Sequence, residues 1–160
     1  MGVGSSGAHF AFQEARVAET AKALVADFIA RIWNEGAVAE VDRFVAPAYT
    51  VLHDPGDPWE GRTLDRPAFA ERVLQSRAPF PDQRFEIVDL LGDGDRVALS
   101  WLWSATHLGD IPDFPATGRE IRMSGLTVYR IGAGGLDGHW QVSDRLGVYR
   151  QLLGNRGGAA

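Results

Sequence analysis

Asp144 stands four residues after Trp140, in a run from His139 to Asp144 that reads as a β-strand. Alternation puts Trp140, Val142 and Asp144 on one face and His139, Gln141 and Ser143 on the other. The face with Trp140 and Val142 is expected to be the buried one, and His139 then faces solvent. A carboxylate buried among apolar neighbours has a raised pKa and becomes a competent general acid or base near neutral pH. The plainer readings of Asp144 are a cap for a following helix or an ion pair with Arg145.

Two other histidines, His107 and His53, and several aromatics carry possible chemistry. Val97, Leu99, Trp101, Trp103, Ala105 and His107 alternate on one face of a long strand pattern. The two tryptophans either fill a core or wall a pocket for a flat, unsaturated ligand. His107 ends that row and is either a proton shuttle or a satisfied core histidine. His53, in phase with Tyr49 and Val51, faces a cavity mouth or lies in a surface turn. His9 falls in the N-terminal tail. His53, Asp54 and His107 are conceivable metal ligands, but no two histidines have the close spacing of a ligand pair, so no metal is expected. Gly132 to Gly138 is glycine-rich, yet it joins two strand patterns and opens no helix, which makes it a hairpin loop and not a phosphate cradle. No G-x-S-x-G elbow is present, so a serine-triad hydrolase is not expected.

The elements that must position these groups follow from periodicity. Val17, Ala21, Leu24, Val25, Phe28 and Ile32 recur at three- and four-residue spacing and predict a helix over 11–34, stopped by Asn34 and Gly36. A short helix over 38–45 ends at Pro47, and 49–53 reads as a strand that gives out in Asp54-Pro55-Gly56-Asp57-Pro58. Thr63 or Asp65 caps a third helix through Ser76, with Pro67 in its first turn. After Pro81 the period becomes two, predicting strands over 84–91, 96–107, 120–131 and 139–144. Helices followed by long antiparallel strands predict an α+β fold: a curved, mainly antiparallel sheet wrapped over the N-terminal helices as a cone-shaped barrel with an internal pocket. Residues 11–153 are expected as one domain, between flexible tails at 1–10 and 154–160.

Composition narrows the function. The chain has 160 residues, no cysteine and a formal net charge of −5. The absence of cysteine excludes thiolate nucleophiles and disulfides. Its 16 Lys and Arg residues are scattered, so nucleic acid is not an expected partner. No stretch has the length of a membrane span, and no basic leader precedes an apolar run; a cytoplasmic protein is expected.

An ordered set of short motifs resembles the SnoaL-like polyketide cyclases, within the nuclear-transport-factor-2-like and ketosteroid-isomerase-like superfamily. The set runs Trp33-Asn34, His53, Pro79-Phe80-Pro81-Asp82, Gly94-Asp95-Arg96-Val97-Ala98, Thr106-His107-Leu108-Gly109, Pro115-Ala116-Thr117-Gly118-Arg119, Trp140 with Asp144, and Gly147 with Gln151-Leu152. The resemblance implies that Asp144 is the acid/base, that His107 acts with it, and that His53, Trp33, Trp101, Trp103, Tyr129 and Trp140 hold the substrate. It implies enolate formation and intramolecular aldol closure of a polyketide-like polycarbonyl, without a cofactor, in a homodimer formed through the outer sheet face. Ala105 stands where the family often has Gly, and the 132–138 loop lacks the usual lysine. A same-fold epoxide hydrolase or isomerase, or a non-catalytic binding protein, is the alternative. An epoxide hydrolase would want a water-positioning cluster of Asp, Arg and Asn deep in the pocket.

Overall fold

The computed structural model describes the backbone of residues 5–156 and the side chains of residues 13–156. Helix α1 (Ser5–Phe28) continues into a π-helical turn, Ile29–Asn34. Of the expected stripe Ala21, Val25, Phe28 and Ile32 are buried and Leu24 is half-buried, while Val17 is exposed; the π turn adds Ile29 and Trp33. A 3₁₀ turn, Val38–Glu40, and the single-turn helix α2 (Val41–Phe44) lead into strand β1 (Val45–His53). After the two-residue β2 (Thr63–Leu64) comes α3 (Arg66–Arg77). Asp65 caps α3 by accepting from the Ala68 amide at 2.9 Å, and Pro67 sits in the first turn. Strands β3 (Arg84–Asp93), β4 (Arg96–Thr106), β5 (Glu120–Gly132) and β6 (Gly135–Ser143) follow, and α4 (Arg145–Arg156) closes the described chain.

The fold is α+β with a mainly antiparallel sheet, as expected, except that the sheet stays open. The six strands are ordered β2-β1-β6-β5-β4-β3, and β1 runs parallel to β6, so the sheet is mixed. The ladder ends at β2 and β3 and never closes into a barrel. Helices and loops, not further strands, seal the pocket. The tails also differ from expectation: residues 5–10 belong to α1 and residues 154–156 to α4. Residues 1–4 and 157–160, and with them the ends of both expected tails, lie outside the described residues. The expected 132–138 loop is a two-residue turn, with Gly132 paired to Gly135. At Gly135 (φ 113°) a Cβ would lie 2.4 Å from the Phe44 carbonyl oxygen, so only glycine fits.

The core sits between α1, α3 and the inner sheet face. Phe28 is its hub, with ring centroids 5.9 Å from Phe44, 6.0 Å from Phe69 and 5.6 Å from Tyr129. The π turn carries Trp33 over this core, and its carbonyls are not left bare. Gln83 Nε2 donates to the Trp33 carbonyl at 3.0 Å, and Arg77 donates to those of both Trp33 and Asn34. The Asn34 side chain exchanges two hydrogen bonds with the Phe85 backbone, at 2.7 and 3.0 Å, and so pairs with β3 as a neighbouring strand would. Among the described residues no helix is long and apolar enough to cross a membrane.

Candidate active site

A cavity of about 260 Å³ lies between the sheet and the helices. Alternation along β4 sends Trp101 and Trp103 inward, and β5 adds Met123, Thr127 and Tyr129. Gly125 makes room for this wall, because a Cβ there would lie 2.3 Å from the Trp101 ring. Trp33 and Ile29 come from the π turn, Phe80 and Phe85 from the segment after α3. These aromatics suit a flat, unsaturated ligand.

One end of the cavity is polar and centres on Asp54, which is 1% exposed. Arg145 Nη2 donates to Asp54 Oδ1 at 2.9 Å; Gln141 Nε2 and Arg72 Nη2 reach Oδ2 at 3.1 and 3.4 Å. Arg72 also pairs with Asp57 at 2.9 Å, so one buried guanidinium bridges two carboxylates. Asp54-Pro55-Gly56-Asp57 forms the turn that presents both acids, with the Asp57 amide donating to the Asp54 carbonyl at 2.9 Å and Gly56 at φ 88°. Glycine at that point also leaves space for Arg145, whose Cδ would lie 3.0 Å from a Cβ there. A relay fixes the Gln141 amide: Trp101 Nε1 donates to Thr127 Oγ1 at 2.9 Å, and that hydroxyl donates to Gln141 Oε1 at 2.7 Å. The Gln141 amino group is thereby turned toward Asp54.

His139, 2% exposed, completes the cluster. Its Nδ1 is 2.7 Å from Tyr49 Oη, and its Nε2 faces Asp54 Oδ2 at 3.6 Å, beyond a direct hydrogen bond. Burial lowers the imidazole pKa below 6.5, and Asp54 opposes this without cancelling it. Burial alone would raise the Asp54 carboxyl, but His139 and Arg145 outweigh it and bring it to about 2. Near neutral pH the pair is therefore a carboxylate beside a neutral imidazole, ready to accept one proton. Burial lifts the hydroxyls of Tyr49 and Tyr129 above the ordinary phenol range, so both stay protonated.

The structure brings four of the expected site residues together, Trp33, Trp101, Trp103 and Tyr129, and places the other four outside the cavity. The expected phase of β6 is reversed. Trp140 is 45% exposed and Val142 also faces out, while His139, Gln141 and Ser143 line the cavity. Asp144 is exposed with Trp140's face and caps α4, accepting from the Gly147 amide at 2.8 Å. Gly147 permits this, since a Cβ would lie 2.1 Å from Asp144 Oδ2. Asp144→Ala should accordingly cost about 1 kcal/mol of stability and leave turnover unchanged, checked by thermal unfolding beside steady-state rates. His53 stacks on Trp140, with centroids 4.7 Å apart, and faces Glu60 at 3.4 Å. His107 is fully buried behind Phe80, its centroid 5.5 Å away, with Nδ1 3.4 Å from Thr117 Oγ1.

Asp54, Arg72, His139, Gln141 and Arg145 are the site residues that periodicity missed. A register shift in the β1–β6 ladder between Val51 and His53 turns His53 outward and brings Asp54 in, which strict alternation cannot foresee. The signal available was the turn itself, Asp-Pro-Gly-Asp directly after a strand. Among the described residues no group of three His, Asp or Glu side chains could hold a metal ion.

Comparison with known proteins agrees with this fold. The model of the SnoaL-like polyketide cyclases matches residues 23–152. Aklanonic acid methyl ester cyclase DnrD of Streptomyces peucetius is 29% identical over 122 residues, covering 75% of this chain and 82% of that protein. A crystal structure from Acidithiobacillus ferrooxidans, of a protein assigned to the polyketide cyclases, is 55% identical with a TM-score of 0.81, covering 84% of this chain and 95% of its own. That of IdmH from Streptomyces antibioticus, assigned likewise, is 27% identical with a TM-score of 0.70, covering 82% of this chain and 97% of its own. With the family match spanning most of the chain and an aromatic-walled cavity of the same fold, the protein belongs to the SnoaL-like polyketide cyclase family.

Proposed function

We propose that the chain closes a ring in a polyketide-like polycarbonyl by intramolecular aldol addition, with Asp54 and His139 as the acid/base unit. The observation that carries this reading is the buried carboxylate–imidazole pair at the polar end of an aromatic cavity. His139 Nε2 removes a proton from carbon next to a carbonyl, and Asp54 stabilises the imidazolium that results. The enolate carbon attacks a second carbonyl, and the imidazolium returns its proton to the new alkoxide. Only the pair and the substrate's own conjugation enter this balance. The test is incubation of the purified protein with a linear aromatic polycarbonyl ester and no added cofactor. A product of unchanged mass with a new ring supports the reading, and unchanged substrate at saturating protein counts against it.

A second reading rests on the bridge Asp54–Arg72–Asp57 with the Gln141 amide beside it. Two carboxylates, one guanidinium and an amide could orient a water onto an epoxide, with glutamine supplying the amide expected of asparagine. Epoxide hydrolysis adds the mass of one water, and labelled solvent oxygen would appear in the diol.

The outer sheet face supports a homodimer. Leu102, Leu126, Trp140 and Val142 are exposed there, and Leu126 is the register partner of Val142. Exposed apolar side chains on adjoining strands mark an interaction surface. The protein should sediment as a dimer, and Leu126→Asp should yield a folded monomer. A monomeric wild type at micromolar concentration would refute the dimer.

A further inference from the structure

Among the described residues three buried polar side-chain atoms have no hydrogen-bond partner: Trp33 Nε1, Arg72 Nε and His107 Nε2. An unpaired buried donor is costly, and natural proteins keep few of them. His107 lies behind Phe80, away from the cavity. Trp33 and Arg72 both line the cavity and touch each other, the guanidinium carbon lying 5.3 Å from the indole centroid. Trp33 is 8% exposed and Arg72 5%.

The Arg72 geometry explains why one donor is free. Both of its carboxylate contacts use the same nitrogen, Nη2, at 3.4 Å from Asp54 and 2.9 Å from Asp57. Those two acids hold the guanidinium in place, the indole face covers it, and Nε is left without an acceptor. Gln83 and Arg77 hold the Trp33 backbone by its carbonyl, and edge contacts with the Phe69 and Phe85 rings hold the indole. Two rigid donors without protein acceptors, on neighbouring side chains of one cavity, are the complement of a ligand oxygen.

We infer that the Trp33 indole N–H and the Arg72 Nε–H form a site for the oxygen of a ketone that becomes an enolate in the reaction. This rests on the acid/base reading above, in which Asp54 and His139 move the proton. Arg72 joins the two halves, since its Nη2 touches Asp54 while its Nε faces the oxygen, so the carbon beside that carbonyl is carried toward His139. When the α C–H bond breaks, the proton goes to His139 Nε2. The electron pair moves to the oxygen held by the two donors, whose hydrogen bonds strengthen as its charge grows. The site thus selects an enolisable ketone and orients it by its oxygen.

Benzoylacetone, an aromatic β-diketone that ionises to an ultraviolet-absorbing enolate, serves as the probe, and naphthalene as a flat aromatic ligand without oxygen. In nitrogen-labelled protein the Trp33 indole N–H resonance, identified by its loss in Trp33→Phe, should move downfield on saturation with benzoylacetone and stay in place with naphthalene. Trp33→Phe keeps a ring beneath the guanidinium and should weaken enolate binding about tenfold more than it weakens naphthalene binding. An indole resonance unmoved at saturation, or full enolate affinity in Trp33→Phe, overturns the inference. Asp54→Asn separates it from the reading it rests on: that variant should slow the enzyme-catalysed α-proton exchange into benzoylacetone by roughly 10²–10⁴-fold and keep the indole shift. Undiminished exchange in Asp54→Asn would overturn the acid/base reading and leave the oxygen site to stand or fall on the indole shift.

Discussion

Asp54→Asn should slow ring closure by roughly 10²–10⁴-fold, the usual share of general acid–base catalysis, with the fold intact. Asparagine preserves the shape, and its amide oxygen can still accept from Arg145 or Gln141. What vanishes is the negative charge facing His139 Nε2 across 3.6 Å. That charge does not itself take the proton: a carboxyl held at about 2 is a weak base. It stabilises the imidazolium formed when His139 takes one. The pH dependence carries the same logic with a definite sign. Burial depresses the His139 pKa, so wild-type activity should fall on acidification only below the ordinary histidine value of 6.5. Asp54 acts to raise that pKa, and removing it should move the acid limb of the residual activity to still lower pH. Single-turnover rates against pH for both proteins check this. A variant with near-normal rates, or with an acid limb shifted upward, would remove Asp54 from the chemistry.

The sites of success and failure in the sequence share one physical cause. Strict period-two alternation places Trp101 and Trp103 correctly because β4 pairs with β5 without a register shift from Arg96 to Thr106. The helical stripe from Ala21 to Ile32 is legible for a similar reason, although Val17 falls outside the core and the π turn adds Ile29 and Trp33. β1 and β6 are different. Their ladder is irregular, and the inner face of β6 carries His139, Gln141 and Ser143 because it lines the polar end of a cavity. A rule that sends tryptophan inward and histidine outward inverts such a strand. Trp140 faces out beneath His53, on the surface proposed for a second subunit. Asp144 follows it and finds its use as a helix cap. The buried ion cluster was illegible because its members lie at positions 54, 57, 72 and 145, joined only by the packing of a turn against two helices.

That cluster sets the acid stability of the fold, and Arg72 is its keystone. Asp54 has a folded pKa of about 2 against an ordinary 3.8. A depressed carboxyl stabilises the fold at pH values above the ordinary one, and that stability is lost as pH falls through the folded value. Here the difference corresponds to about 2 kcal/mol. His139 acts in the same direction over a higher window, because its depressed pKa lets the unfolded chain bind the proton first as pH falls below 6.5. Arg72→Met keeps much of the aliphatic volume against Trp33 and removes the charge, leaving Asp57 with the distant Arg145 at 3.9 Å and Asp54 with one arginine instead of two. Breaking a buried ion pair from one side should cost about 3 kcal/mol at neutral pH, read as a lowered urea midpoint. The cost should shrink as pH falls toward about 3, because the Asp54 carboxyl of the variant, with less positive charge beside it, takes up a proton that the wild-type carboxyl refuses. Adding Asp54→Asn to Arg72→Met should recover part of the loss at neutral pH, since the uncompensated carboxylate is gone. A deficit that stays constant with pH and is unrelieved by Asp54→Asn would trace the loss to packing against Trp33 and leave the charge cluster without its stabilising role.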